Sequence, residues 1–383
     1  PTGLALLLGA SPFEIGILGA LPFLSQICQF VGAYLEERLG KRRSIVLLTS
    51  GLSRGAWILV ALLPLAAGPG NTRVALFLLL VALSQAFAGI AINAWTSWMT
   101  DLVPARQRGR YFGVRNTVAS ITAVASNWGA GLVLDQFRAA QQEARGYAVV
   151  FGAAVACAAA GLVVLWFQPE PPMRRHERMA LRALFSMPLQ NAQFRSFSLA
   201  AAGWAIAIGI AGPFFNAYGI QQLKLSFTML ATLAVISSLV SIASQPLIGR
   251  MQDRYSSRSV LIACVIGTVT LPLGWVFASN TNLVPLYLNA IGAGLFWPGI
   301  TQGFLNLVME RAPAEGRGAF VAFFGAMSGL GTFMSGILGG AIATAIGPAM
   351  FTLGPIVFDH YTILFALSSL GRAAMALVFA RRL

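Results

Sequence analysis

Between residues 13 and 380 the chain consists almost entirely of apolar runs long enough to cross a lipid bilayer. They fall near 13–36, 44–66, 74–99, 110–135, 146–167, 196–220, 226–249, 259–279, 284–308, 318–343 and 358–380, with short breaks between most of them. A helix needs about 20 apolar residues to span the hydrocarbon core. Composition closes off the alternative of a soluble core. Of the 383 residues, 57% are hydrophobic and 10% charged, with a mean hydropathy of +0.74, against roughly 25% charged in a soluble domain. The opening stretch, PTGLALLLGA, is too short to span. It reads as the tail of a first transmembrane helix, which makes twelve helices in the full protein. A cleaved signal peptide is the alternative, but no basic n-region or small-residue cleavage site is visible.

The net charge of +14 would suit nucleic acid if it lay on one soluble face. It does not. Six breaks on one side of the expected topology carry 19 basic residues, among them Arg38, Lys41, Arg42, Arg43, Arg108, Arg254 and Arg258, while the other side carries four: Arg73, Arg138, Arg145 and Lys224. By the positive-inside rule the first set is cytoplasmic, as are both chain ends. The charge is a topological signal, and a nucleic-acid partner is not expected. The expected location is the inner (plasma) membrane of a bacterium, as a monomer among lipids. The three cysteines, Cys28, Cys157 and Cys264, lie far apart inside apolar runs without a CxxC pair. This argues against a disulfide, a metal site or a cofactor. The two histidines, His176 and His360, lie in loop or span-end regions, so no catalytic Ser-His arrangement is expected at depth.

The longest interior break is 168–195. Pro169, Pro171 and Pro172 stop the sixth span, after which Leu181, Leu184 and Phe185 share one helical face and Arg175, Arg178 and Arg182 another. That pattern reads as a short amphipathic helix on an anionic membrane surface, or simply as a tether. It divides the chain into 1–167 and 196–383, with six helices expected in each.

Two knots of charge punctuate this sequence. Glu37-Arg38-Leu39-Gly40-Lys41-Arg42 follows the second span, and Asp253-Arg254-Tyr255-Ser256-Ser257-Arg258 follows the eighth, at an offset of 216. A second pair aligns independently: DLVPARQRGRYFG (101–113) with ERAPAEGRGAFVA (310–322), where Pro104, Arg108 and Gly109 meet Pro313, Arg317 and Gly318 at an offset of 209. Two motif pairs at nearly one offset make the halves copies of each other.

Parallel six-helix halves, each with an acidic-Arg-x-Gly-basic knot between its second and third helices, resemble the major facilitator superfamily. The family pattern is G-x-x-x-D-R-x-G-R-R/K. The second copy fits from Gly249 through Asp253 and Arg254 but has Ser256 for the glycine. The first keeps Arg38, Gly40 and the basic tail, with Glu37 for Asp and Ala33 for the leading Gly. The resemblance implies a twelve-helix fold of two pseudo-symmetric bundles. It also implies a gating latch of Glu37, Arg38, Gly40, Arg42, Asp253, Arg254, Arg258, Arg108, Arg317 and Arg115, in which a carboxylate faces a positive helix end. Ordinary flanking charge is the plainer reading of the same residues.

In the family, cargo binds near the midplane between the halves. Candidate lining residues are Gln26, Gln85, Asn93, Trp95, Asn127, Trp204, Asn216, Trp297 and Gln302. Neutral hydrogen-bonding groups beside aromatic faces suit a small organic or amphipathic solute. The same residues could instead glue helices together. Arg54 and Arg372 are charges inside spans, where charge is costly. A bond to the backbone of a neighbouring helix is the favoured reading for both. No carboxylate lies at the middle of a complete span, and Gln85 stands where the family's proton antiporters have Arg, which disfavours a proton-driven drug exporter. The expected function is a secondary active or facilitative transporter working by alternating access. A lipid or lysolipid flippase of the same fold and a non-transporting membrane scaffold or sensor are the alternatives; an enzyme is not expected.

Overall fold

In a computed structural model the chain is described over residues 1–65, 70–104, 107–171, 187–313, 317–347, 351–353 and 356–382, with side chains at all of these except 37, 109, 317, 318, 351–353, 356–358 and 382. The proposed amphipathic segment at 175–185 and the Glu37 and Arg317 side chains therefore lie outside the described residues.

Fifteen α-helices are present among the described residues. They are α1 (Thr2–Leu7), α2 (Pro12–Ala20), α3 (Leu24–Leu39), α4 (Arg42–Leu62), α5 (Asn71–Leu102), α6 (Arg108–Ala139), α7 (Glu143–Trp166), α8 (Ala192–Gly209), α9 (Phe214–Gln221), α10 (Phe227–Tyr255), α11 (Ser257–Gly267), α12 (Leu271–Val276), α13 (Val284–Arg311), α14 (Arg317–Ile346) and α15 (His360–Arg382). A short antiparallel hairpin, β1 (Phe351–Leu353) and β2 (Ile356–Phe358), pairs Phe351 with Phe358. It was not expected from the sequence.

Among the described residues, ten helical segments are long and apolar enough to cross a membrane. The run expected at 284–308 is helical as α13 but falls outside that set, because Asn289, Gln302, Asn306 and two prolines dilute its apolar character. Several expected single spans are broken. The run at 259–279 is two helices, α11 and α12, parted at Thr268–Thr270, and 196–220 is parted into α8 and α9 at Ile210–Pro213. Membrane helices tolerate such breaks where neighbours satisfy the freed backbone.

The residues form two compact units. Unit 1 comprises Pro1–Ala10, Leu21–Glu177 and Ser226–Ala231; unit 2 comprises Ser11–Ala20, Arg178–Leu225 and Thr232–Leu383. In unit 1, a cluster of Ile45, Val46, Ala94, Trp98 and Met99 joins α4 to α5. The start of α10 belongs to this unit: both Asp135 carboxylate oxygens accept, at 2.8 Å each, from the Phe227 and Thr228 N–H groups. A carboxylate at a helix N-terminus satisfies orphan donors and favours the positive end of the helix. In unit 2, Phe194, Phe197, Trp204, Leu261, Phe320 and Phe379 anchor a larger aromatic core.

Two backbone positions bear on the knots. Gly40 ends α3 in the left-handed conformation, φ 63°, which glycine adopts without penalty. Ser256 stands at the equivalent position between α10 and α11 with φ 127°, a conformation that favours glycine. Its hydroxyl accepts from the Ser259 N–H at 3.2 Å and so caps α11.

Candidate functional site

In unit 1, the first knot closes a polar cluster at the basic helix ends. Arg42, the first residue of α4, is 1% exposed. Its Nη1 donates to Asp101 Oδ2 at 2.6 Å and to the Ser97 carbonyl and hydroxyl at 3.2 Å, and its Nη2 donates to the Pro171 carbonyl at 3.0 Å. The Ser97 hydroxyl donates in turn to the buried Glu36 carboxylate. Nearby, Trp98 Nε1 donates to the Pro169 carbonyl at 2.9 Å. One guanidinium thus holds the start of α4, the end of α5 and the segment after α7, and reaches the end of α3 through Ser97.

Unit 2 repeats the arrangement with different chemistry. Arg258 Nη2 donates to the Ala380 carbonyl at 3.0 Å, Ser257 Oγ to Glu310 Oε1 at 3.1 Å, and Asn306 Nδ2 to Gln252 Oε1 at 2.8 Å. The sequence offsets carry over to the bonds. Arg42 and Glu36 correspond to Arg258 and Gln252 at 216; Ser97, Asp101 and Pro171 correspond to Asn306, Glu310 and Ala380 at 209. The second copy substitutes amides for the Glu36–Ser97 pair, and among the described residues it has no ion pair matching Arg42–Asp101.

Among the described residues, the other charged candidates of the latch make different contacts. Arg38 donates to Tyr34 of its own helix at 3.3 Å, Arg254 lies 5.4 Å from the Tyr255 ring centroid, and Asp253 is exposed. Arg108 donates to the Val103 carbonyl at 3.1 Å. Glu36, Ser97, Asp101, Gln252, Asn306 and Glu310 make the contacts instead. The signal that would have found them is the same pair of offsets, applied to every polar residue near a helix end.

The proposed cargo residues are spread over both units. In unit 1, Asn93 donates to the Gln29 carbonyl at 3.1 Å and so joins α5 to α3. Trp95 packs edge-on against Phe112 and lies under Arg115, whose guanidinium carbon is 4.3 Å from the ring centroid. Gln26 and Gln85 are half-buried and Asn127 is exposed. In unit 2, Trp204 is buried beside Trp297, centroids 6.3 Å apart. Gln302 is half-buried and Asn216 exposed. Arg54 donates to the Ala158 carbonyl and Arg372 to the Thr268 carbonyl, each at 3.0 Å. Among the described residues no cluster of His, Cys, Asp and Glu could hold a metal ion.

The family model described as Major Facilitator Superfamily matches residues 1–336 and 196–381. The chain belongs to the major facilitator superfamily. It is a multi-pass membrane protein. Among solved structures it is similar to the nucleoside transporter NupG, with TM-score 0.74 and 13% identity over 100% of this chain and 93% of that one. It is also similar to the xylose transporter XylE from E. coli in an inward-open form, with TM-score 0.69 and 15% identity over 98% and 87%. At these identities the likeness concerns the fold. Among curated proteins, the MFS-type transporter TOXA of Cochliobolus carbonum is 34% identical over 124 residues, 32% of this chain and 22% of that one. The class H tetracycline resistance protein of Pasteurella multocida is 26% identical over 144 residues, 37% and 34%. The aligned stretches span about a fifth to a third of these relatives' length.

Proposed function

We propose that this superfamily member is a secondary transporter that moves a small organic or amphipathic solute across a membrane by alternating access. Family membership across nearly the whole chain carries the reading, and the similar proteins named above are transporters and a resistance protein. The repeated clusters around Arg42 and Arg258 support it mechanically. Rocking requires each half to move as a body. A guanidinium bonded to a distant segment at 3.0 Å in each unit ties helix ends together for that purpose. We take the two sequence halves, 1–167 and 196–383, as the moving bodies, the basic helix ends as cytoplasmic, and the working form as a monomer. The uncharged aromatic and amide side chains Gln85, Trp95, Trp297 and Gln302 suit a neutral or amphipathic cargo.

The test is counterflow in proteoliposomes preloaded with nucleosides, sugars, aromatic drugs or lysolipids. Saturable accumulation of one class is expected. Permeation by no class, with a single conformation in cross-linking across the helix ends, would refute the transporter reading.

A further inference from the structure

Helices of unit 1 line an open pocket of about 240 Å³. Its walls are Val46, Ser50, Ser53 and Arg54 from α4, Ala88, Ala91, Ile92 and Trp95 from α5, Arg115 from α6 and Leu165 from α7. Two of these residues are cationic and none is acidic. The Asp101 carboxylate at the end of α5 is engaged by Arg42.

Among the described residues, neither guanidinium forms an ion pair. Arg54 spends one nitrogen on the Ala158 carbonyl. Arg115 lies over the Trp95 ring and donates to Asn116 Oδ1 at 3.0 Å. Each guanidinium carries five N–H donors in a fixed fork, so most of the donor set is free for a ligand. The cations also sit well below the basic helix ends. At 1.5 Å per residue, Arg54 is about 18 Å along α4 from Arg42, and Arg115 about 10 Å along α6 from Arg108. Uncompensated charge at such depth is costly and is normally offset by a partner. A compact anion would supply one, in the bidentate geometry that guanidinium groups offer to phosphate and carboxylate. The rest of the wall is apolar or aromatic except for Ser50 and Ser53, and Ser53 is already bonded to the Ser84 carbonyl.

We propose that this pocket binds a compact anionic group, a phosphate or carboxylate, carried on an amphipathic molecule, with the anion between Arg54 and Arg115 and the apolar stem against Ile92, Trp95 and Leu165. The site lies wholly inside one unit. It shares Trp95 with the proposed cargo residues, but its test reads binding rather than transport and so stands whether or not the transport reading holds.

The test uses the full chain in phosphatidylcholine nanodiscs, titrated with dodecyl phosphate, dodecanol or inorganic phosphate, with the thermal midpoint as readout. A ligand that binds the folded state raises that midpoint. Dodecyl phosphate is expected to raise it saturably and dodecanol is not. Arg115→Gln, at an exposed residue, should weaken the apparent affinity roughly tenfold or more through loss of a charge-assisted bond, and Arg115→Lys should restore part of it. Ser50→Glu, which puts a carboxylate inside the pocket, should abolish the response. A response confined to dodecyl phosphate would support the proposal as stated; a matching response to inorganic phosphate would keep the anion site between Arg54 and Arg115 and overturn the seating of the stem on Ile92, Trp95 and Leu165. The proposal is overturned if neither phosphate gives a saturable shift, if dodecanol acts as well as dodecyl phosphate, or if Arg115→Gln and Ser50→Glu both respond as the wild type does.

Discussion

Arg54 and Arg372 brace corresponding helix pairs of the two units from opposite sides. Arg54 reaches from the third span of the first half to the Ala158 carbonyl in its sixth. Arg372 reaches from the sixth span of the second half back to the Thr268 carbonyl at the end of the first piece of its third. The two are not copies: the offset of 209 places Arg372 opposite Val163, and that of 216 places Arg54 opposite Thr270. The same need, tying a third helix to a sixth, has been met twice by different residues.

Arg372 illustrates what such a tie costs. It is 3% exposed, its Nε has no hydrogen-bond partner, and no carboxylate forms an ion pair with it among the described residues. A buried cation held by one carbonyl gives up hydration that a single bond does not restore. Arg372→Met, of similar length and uncharged, is therefore expected to leave stability unchanged or raise it by about 1 kcal/mol or more. Arg372→Ala is expected to lower it by about 2 kcal/mol or more, because it leaves a cavity. Thermal midpoints in detergent separate the two. If Met is as damaging as Ala, the Thr268 bond outweighs the burial cost.

Ser256 allows a sharper test. Its φ of 127° lies where a Cβ is strained, at a cost of about 1–3 kcal/mol. Its hydroxyl caps α11, a role in which glycine is worse than serine by only a few tenths of a kcal/mol. Ser256→Gly should accordingly stabilise unit 2 by about 1 kcal/mol. The matched change in the first knot, Gly40→Ala at φ 63°, should destabilise by about 1 kcal/mol. Opposite signs at the two equivalent positions are the expected result. A loss of stability in Ser256→Gly would mean that the cap matters more than the strain.

The repeat at the knots was legible because it is a matter of spacing: the offsets 216 and 209 pair the motifs, and the structure pairs their hydrogen bonds the same way. The burial of Glu36, just ahead of the first knot, was not legible in the motif. Glu36 and Glu37 are neighbours on one helix, about 100° apart around its axis; the family resemblance pointed to Glu37, whose side chain lies outside the described residues, and the structure adds a buried carboxylate at Glu36. Helical phase favours Glu36, which follows Gln29 by seven residues and Gln26 by ten. The break at Thr268–Thr270 was invisible for another reason. The residues on both sides are apolar, and hydropathy registers membrane solvation rather than backbone continuity. The Arg54–Arg115 pocket was missed because its residues come from four helices, and no periodicity along one helix brings them together.

The Arg42–Asp101 pair tests whether the first cluster holds the helix ends. Arg42 is 1% exposed while the Asp101 side chain is 35% exposed. Removing one partner of a buried pair costs about 3–5 kcal/mol, and partial solvent screening of Asp101 places Arg42→Ala near the low end, about 3 kcal/mol. Asp101→Asn, which keeps an acceptor, should cost less. A double-mutant cycle with Asp101→Ala should give a coupling of about 1 kcal/mol or more. In unit 2 the exposed Arg258 makes its carbonyl bond without a matching ion pair among the described residues, so Arg258→Ala should cost under about 1 kcal/mol. Equal losses at Arg42 and Arg258 would show that burial and the carboxylate add nothing to the shared carbonyl bond.

Close backbone approach between α2 and α14, within unit 2, supplies the last contrast. A methyl added at Gly16 would collide with the Gly336 carbonyl and come within 2.9 Å of Gly340 Cα, and one added at Gly336 would lie 2.8 Å from the Gly16 carbonyl. Gly336 and Gly340, four residues apart, present the small-residue face that lets membrane helices approach closely. The atoms in the way are backbone, which cannot swing aside as a side chain can. Gly16→Ala is expected to cost about 1–3 kcal/mol by overpacking. Gly51→Ala on α4, where nothing lies within 4 Å, should be neutral or stabilising by up to about 1 kcal/mol through helix propensity. Because both changes add the same methyl to a helix, propensity cancels in the comparison. A loss at Gly16 with none at Gly51 assigns the cost to the α2–α14 contact, and equal effects would show that the two helices separate freely in the membrane.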